Sequence, residues 1–120
     1  MTRFAVLNRN SEFRALYHRG KSQVNPALVT YARRNNQGIT RVGITVGKKI
    51  GGAVQRNRCR RIIREAYREL LPKVSNGWNV VFVARKKTYF LKSTHIKRIM
   101  EEQLKALGVL KNEKNCNSTD

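Results

Sequence analysis

Apolar residues recur along this chain with two different periods, and the changes of period mark its elements. From Ser22 to Arg34 the period is two. Ala27, Val29 and Tyr31 share one face and Leu28, Thr30 and Ala32 the other, which predicts a strand. Pro26 suits a sheet edge or the first residues of a strand, and Gly20 to Asn25 can form a short strand of its own. Asn35-Asn36-Gln37-Gly38 reads as a turn. Ile39 to Gly47, with β-branched Val42, Ile44, Thr45 and Val46, should therefore return antiparallel as a second long strand. Past Gly47 the period becomes 3.6. Cys59, Ile62, Ile63, Ala66, Tyr67 and Leu70 fall on one arc of a helix from about Ala53 to Leu71, which Pro72 stops. Trp78 to Arg85 is apolar on both sides, as in a central strand, and pairing it parallel with an earlier strand would complete a β-α-β unit.

Two further helices frame this pattern. Phe13, Leu16 and Tyr17 have helical spacing between a cap at Asn10 or Ser11 and a stop at Gly20, and the simplest reading makes Phe13 and Tyr17 core. Ile96, Ile99, Met100, Gln103, Leu104 and Leu107 give a last helix, capped by Ser93 or Thr94 and closed by Gly108. Residues 1–9 read as an irregular basic arm that Phe4 and Leu7 tack onto the core. The predicted fold is a single α+β domain over residues 1–111, an α/β sandwich in the order αβββαβα with a four-stranded sheet. Residues 112–120 form a polar tail expected to be disordered.

Charge changes this picture from a small sandwich to one with a missing partner. The chain has 26 Lys and Arg against 7 Asp and Glu, a formal net charge of +19, and a sequence pI near 11.2. Such self-repulsion favours a polyanionic ligand, with affinity that falls steeply as salt rises. The excess concentrates on the long helix. Arg56, Asn57, Arg60, Arg61, Arg64 and Arg68 occupy much of the arc that the apolar residues leave free, with Glu65 and Glu69 late and better placed to pair with neighbouring arginines. Like charges at these spacings cost about 0.2–0.5 kcal/mol per exposed pair. A merely soluble helix would interleave acids, whereas phosphate oxygens suit the guanidinium fork.

Several chemistries are disfavoured. The seven carboxylates do not cluster as a two-metal nuclease requires. His18 and His95 read as surface residues, and Cys59 and Cys116 as reduced thiols without zinc spacing. The glycines around Lys48-Lys49 lack the Lys-Ser or Lys-Thr of a nucleotide-binding loop, although amides at the helix start could hold an RNA phosphate. No secretory signal or membrane-spanning run is visible, and the expected location is cytoplasmic.

One string of residues carries a family resemblance. Arg56-Asn57-Arg58, preceded by Lys48-Lys49-Ile50-Gly51 and Ala53-Val54 and followed by Arg60-Arg61, Ile63-Arg64 and Ala66-Tyr67, resembles the signature of the bacterial ribonuclease P protein subunit. Ser11-Glu12-Phe13, Tyr17-His18-Arg19-Gly20 and Arg41-Val42-Gly43 match the same pattern, so the resemblance runs from about Arg9 to Leu107. It implies a mixed sheet with a left-handed βαβ crossover, against the usual right-handed rule. It also implies a ribonucleoprotein whose catalytic RNA subunit, with magnesium, removes the 5′ leader of precursor tRNA, while the protein binds. On this resemblance Lys48, Lys49, Arg56, Asn57, Arg58 and Arg61 contact the RNA subunit. Phe13, Tyr17, Val29, Tyr31, Arg60 and Arg64 line a cleft for the single-stranded leader, which moves Phe13 and Tyr17 from core to cleft. No catalytic or metal residue, protein-bound cofactor, membrane or obligate protein partner is implied. Gly47 and Gly52 depart from the family pattern, which puts the loop's geometry in doubt but not its basic side chains. The rival readings are a ribosomal-type RNA-binding scaffold and an autonomous metal-independent ribonuclease.

Overall fold

The strand Trp78–Ala84 occupies the middle of the sheet because its side chains are apolar in both directions: Val80, Val81 and Phe82 are all fully buried. In the computed structural model, which describes residues 5–7, 10–35 and 37–111, it is the fifth strand in chain order. The order is β1 (Ala5–Val6), α1 (Asn10–Arg19), β2 (Lys21–Asn25), β3 (Leu28–Arg34), β4 (Arg41–Thr45), α2 (Ala53–Leu70), β5 (Trp78–Ala84), α3 (Lys86–Phe90) and α4 (Ser93–Leu107). Short 3₁₀ turns at Lys48–Ile50 and Leu71–Lys73 flank α2. The four expected strands form a mixed sheet, and the two-residue β1 extends its edge to give the spatial order β1-β4-β5-β3-β2.

That order corrects one expectation. β3 and β4 are not hydrogen-bonded partners across a hairpin; β5 lies between them, antiparallel to β3 and parallel to β4. β5, with Val80, Val81 and Phe82 all fully buried, takes the doubly covered central position between them. The connection after β3 accordingly crosses the start of β5. Asn35 accepts nothing from β4 there; its backbone N–H donates to the Gly77 carbonyl (2.8 Å), and its side-chain amide donates to Asn79 Oδ1 (2.8 Å) and to the Ile39 carbonyl (3.1 Å). Asn36 of the expected turn lies outside the described residues.

Each face of the sheet has its own cover. Leu28, Ala32, Val42, Val80, Phe82 and Ala84 meet the apolar arc of α2 and the Ile96, Met100, Leu104 and Leu107 face of α4 in one continuous core. α4 is also latched by a buried amide. Gln103 Nε2 donates to the Leu28 (2.8 Å) and Gln23 (3.1 Å) carbonyls, and its Oε1 accepts from Thr30 Oγ1 (2.6 Å). Among the described residues the opposite face carries α1 and the Leu7 segment, with a small cluster of Leu7, Leu16 and Val81 bordered by half-buried Phe13, Tyr31 and Val83. Leu7 thus tacks the N-terminal segment down as expected, with its N–H on the Val42 carbonyl (2.9 Å); Phe4 and the expected tail 112–120 lie outside the described residues.

The helix α3 was not expected, since the sequence pattern assigns no element between Arg85 and the last helix. It forms because Thr88 Oγ1 accepts from the Arg85 N–H (3.0 Å) while donating to the Ala27 carbonyl (2.5 Å), so one buried hydroxyl both caps the turn and ties it to the sheet. No helix among the described residues is long and apolar enough to cross a membrane.

Candidate nucleic-acid interface

The arginines of α2 are held on its outer side by the burial of Cys59, Ile62, Ile63, Ala66, Tyr67 and Leu70 on the inner one. At 100° per residue the basic arc from Arg60 through Arg64, Asn57, Arg68 and Arg61 to Arg58 spans roughly 160° of the circumference. Its two flanks meet different neighbours. Arg60 donates to Asn57 Oδ1 (3.2 Å) on the flank nearest α1. Arg58 turns the other way: its Nε donates to the Tyr89 carbonyl of α3 (3.2 Å) and its guanidinium carbon lies 5.3 Å from the Tyr89 ring centroid. Arg61, Arg64 and Arg68 are exposed between these flanks, and half-buried Arg56 reaches back to the Gly52 carbonyl (3.4 Å).

Glu69 does not pair with the arginines, as its position in α2 had suggested. It faces α4 and forms an ion pair with Lys97 (3.2 Å); Glu65 is exposed on the arc between Arg61 and Arg58. Cys59 is fully buried beneath the arc, and burial raises its thiol pKa despite the opposing pull of Arg58.

An open groove of about 490 Å³ lies between α1, β4 and α2, with Phe13, Arg14, Tyr17, Thr45, Val46 and Arg60 in its walls. Gly43 makes it possible. A Cβ there would sit 2.6 Å from Phe13 Cζ and 3.3 Å from Leu7 Cβ, so the glycine lets the Phe13 ring approach β4 closely. Tyr17 is 39% exposed, shares a hydrogen bond with Thr45 Oγ1 (3.0 Å) and meets the half-buried Tyr31 ring edge-on at 5.0 Å. α1 is itself anchored by the Glu12–Arg41 ion pair at 2.9 Å.

Of the expected cleft residues, Phe13, Tyr17 and Arg60 therefore converge, and Tyr31 backs Tyr17. Arg64, exposed one turn beyond Arg60 on α2, is not among the residues that line the groove. Val29 is buried and supports the sheet rather than lining the groove. Arg14 and Thr45 were missed, although helical spacing places Arg14 one turn from Tyr17 and could have identified it. Lys48 and Lys49 are exposed on the 3₁₀ turn that leads into α2. His18 and His95 belong to helices on opposite faces of the sheet, so they cannot act as a pair.

Comparison with known proteins bears on this surface. The ribonuclease P family model matches residues 1–108. A Clostridium kluyveri ribonuclease P protein component is 39% identical over 107 residues, which cover 88% of this chain and 96% of that protein. Among solved structures, the Staphylococcus aureus RNase P protein superposes with a TM-score of 0.78 at 29% identity, over 89% of this chain and 98% of its own. A second S. aureus structure, of a mutant with defective mRNA degradation activity, gives 0.77 at 30% identity over 86% and 87%. A basic helix beside an aromatic groove, on a sheet of this topology and with relatives matched over nearly their full lengths, places the chain in the ribonuclease P protein family.

Proposed function

We propose that the chain is the RNA-binding subunit of ribonuclease P, acting in the cytoplasm through one domain of residues 1–111 with 112–120 as a polar tail. In this reading the catalytic RNA subunit cleaves precursor tRNA: water attacks the phosphodiester, leaving a 5′-phosphate on the mature tRNA and a 3′-hydroxyl on the leader. The groove presents cationic and aromatic groups, a poor match to the oxygen ligands that magnesium prefers. The metal that this chemistry needs therefore belongs to the RNA.

The protein's part is adhesion and screening. Lys48, Lys49, Arg56, Asn57, Arg58 and Arg61 engage the RNA subunit, while Phe13, Tyr17, Arg60 and Arg64, backed by Val29 and Tyr31, take the single-stranded leader. Unpaired bases stack on exposed aromatic rings whatever their sequence, and arginine beside the rings holds the phosphates. Two polyanions that must approach one another repel until such counter-charge intervenes. No further protein partner is needed for this role.

The observation that carries the reading is the groove, where the aromatic face of α1 opens directly onto Arg60 of the basic arc. The test is precursor tRNA cleavage by the RNA subunit at low magnesium. Adding the chain should raise the rate by at least about tenfold, and an unchanged rate would favour the ribosomal-type scaffold instead.

A second reading, RNA cleavage by the protein itself, is favoured by the S. aureus relative whose mutant is described as defective in mRNA degradation. Incubating the purified chain with mRNA and with precursor tRNA in chelator tests it. Sustained cleavage that follows the chain through purification would support this second reading.

A further inference from the structure

One exposed aromatic ring has no role in the groove or in the core. Phe90, the last residue of α3, is 78% exposed, the largest apolar side chain that the described residues leave so open. Its position is nevertheless fixed. The Phe90 ring meets the Tyr89 ring edge-on at 5.1 Å, Tyr89 is covered by the Arg58 guanidinium, and Thr88 ties the same turn to the Ala27 carbonyl.

The surroundings identify what could cover it. Lys86, Lys87 and Lys92 are exposed beside Phe90, and no acid occurs between Arg85 and Met100. α3 packs against both α2 and the turn that bears Lys48 and Lys49. Val54, 77% exposed, lies one helical turn before Arg58 on the same side of α2. An aromatic ring amid cations and without acids complements a nucleobase flanked by phosphates. An anionic bilayer would call for a broader apolar face than one ring and one valine provide.

We propose that Phe90 is a base-stacking platform: an unpaired nucleotide of the catalytic RNA subunit lies on its exposed ring, with the neighbouring phosphates at Lys86 and Lys87. The inference rests on the proposed function and extends it. It assigns the occupant to the RNA subunit because α3 meets α2 on the Arg58 flank, whereas the groove for the leader lies on the Arg60 flank. Arg58 then borders the RNA while its guanidinium covers Tyr89, whose ring meets Phe90 edge-on.

The test measures the affinity of the full chain for the RNA subunit at fixed salt, using Phe90→Ala, Phe90→Leu, Phe90→Tyr and Phe90→Trp, with melting temperatures alongside. Phe90→Ala and Phe90→Leu should bind about tenfold more weakly, within the range known for loss of one stacked base. Phe90→Tyr and Phe90→Trp should bind like the parent, and all four should melt near its temperature because the side chain is exposed. The salt slope should not change, since no charge is removed. The proposal is overturned if Phe90→Ala binds normally, if Phe90→Leu rescues as well as Phe90→Tyr, or if the loss tracks melting temperature. It is also overturned if Phe90→Ala impairs binding to phosphatidylserine vesicles but not to RNA. If the parent chain binds the RNA subunit and speeds cleavage while Phe90→Ala does so equally, only the stacking assignment falls. If the parent itself fails to bind, the functional reading falls with it.

Discussion

The two faces of the sheet are built to different ends. On one, α2 and α4 seal a continuous core in which Ile63, Phe82, Ile96, Met100 and Leu104 are wholly excluded from water. On the other, among the described residues, α1 is the one covering helix, and its cluster buries Leu7, Leu16 and Val81. The aromatic residues Phe13 and Tyr17 stay partly open there although they have the spacing of core positions. The open groove lies at the margin of that helix. The first face holds most of the buried core, and on the proposed function the second is the one that binds. Substitutions on the two should therefore fail in different ways.

Phe82→Ala should produce the largest effect, because the ring lies wholly within the sealed core. Removing it should cost about 3–5 kcal/mol, read as a fall in the urea midpoint with the slope unchanged. A loss well below 1 kcal/mol would mean that the sealed face is not the main source of stability. On the same face, Gln103→Leu keeps the volume but leaves the Leu28 and Gln23 carbonyls and the Thr30 hydroxyl without their amide. It should cost about 1–3 kcal/mol by the same assay.

Gly43→Ala sharpens the comparison, since it acts on Phe13, which lines the groove. The new methyl would press on Phe13, so stability should fall by about 1–3 kcal/mol and affinity for leader-bearing precursor tRNA should fall as well. Tyr17→Ala should separate the two properties. Its melting temperature should change little, while the assembled particle loses about tenfold in affinity for precursor tRNA and almost none for mature tRNA. Equal losses for both substrates would break the assignment of the groove to the leader. The smallest effect concerns Cys59. Buried, and with its thiol kept protonated by burial, it should resist alkylation at mildly alkaline pH in the folded chain and react at the rate of global unfolding.

The architecture was legible where period and burial agree. The 3.6-residue spacing from Cys59 to Leu70 identified the inner arc of α2, and the unbroken apolar run after Trp78 identified a central strand. What remained hidden were pairings that depend on distant residues. The turn after Arg34 looks local, yet Asn35 and Gly77 join there, and only the competition for the doubly covered position places β5 between β3 and β4. α3 was missed because its decisive contact, from Thr88 to the Ala27 carbonyl, spans the chain. At the site, the basic arc and Phe13, Tyr17 and Arg60 were visible from spacing and family resemblance together. The opposed directions of Arg58 and Arg60 were not, although a helical wheel separates them by roughly 160°. Val29, assigned to the cleft by resemblance, is too deeply buried to touch a ligand in the groove.

The central claim is that the exposed side of α2 is the electrostatic contact with RNA, independent of the core beneath it. The most direct measurement is the salt dependence of RNA-subunit binding for the parent chain and for an Arg58→Ala/Arg61→Ala variant of unchanged melting temperature. If each arginine meets a phosphate, the slope of log affinity against log salt should become shallower by about one per residue removed. An identical slope for the two proteins would contradict the account.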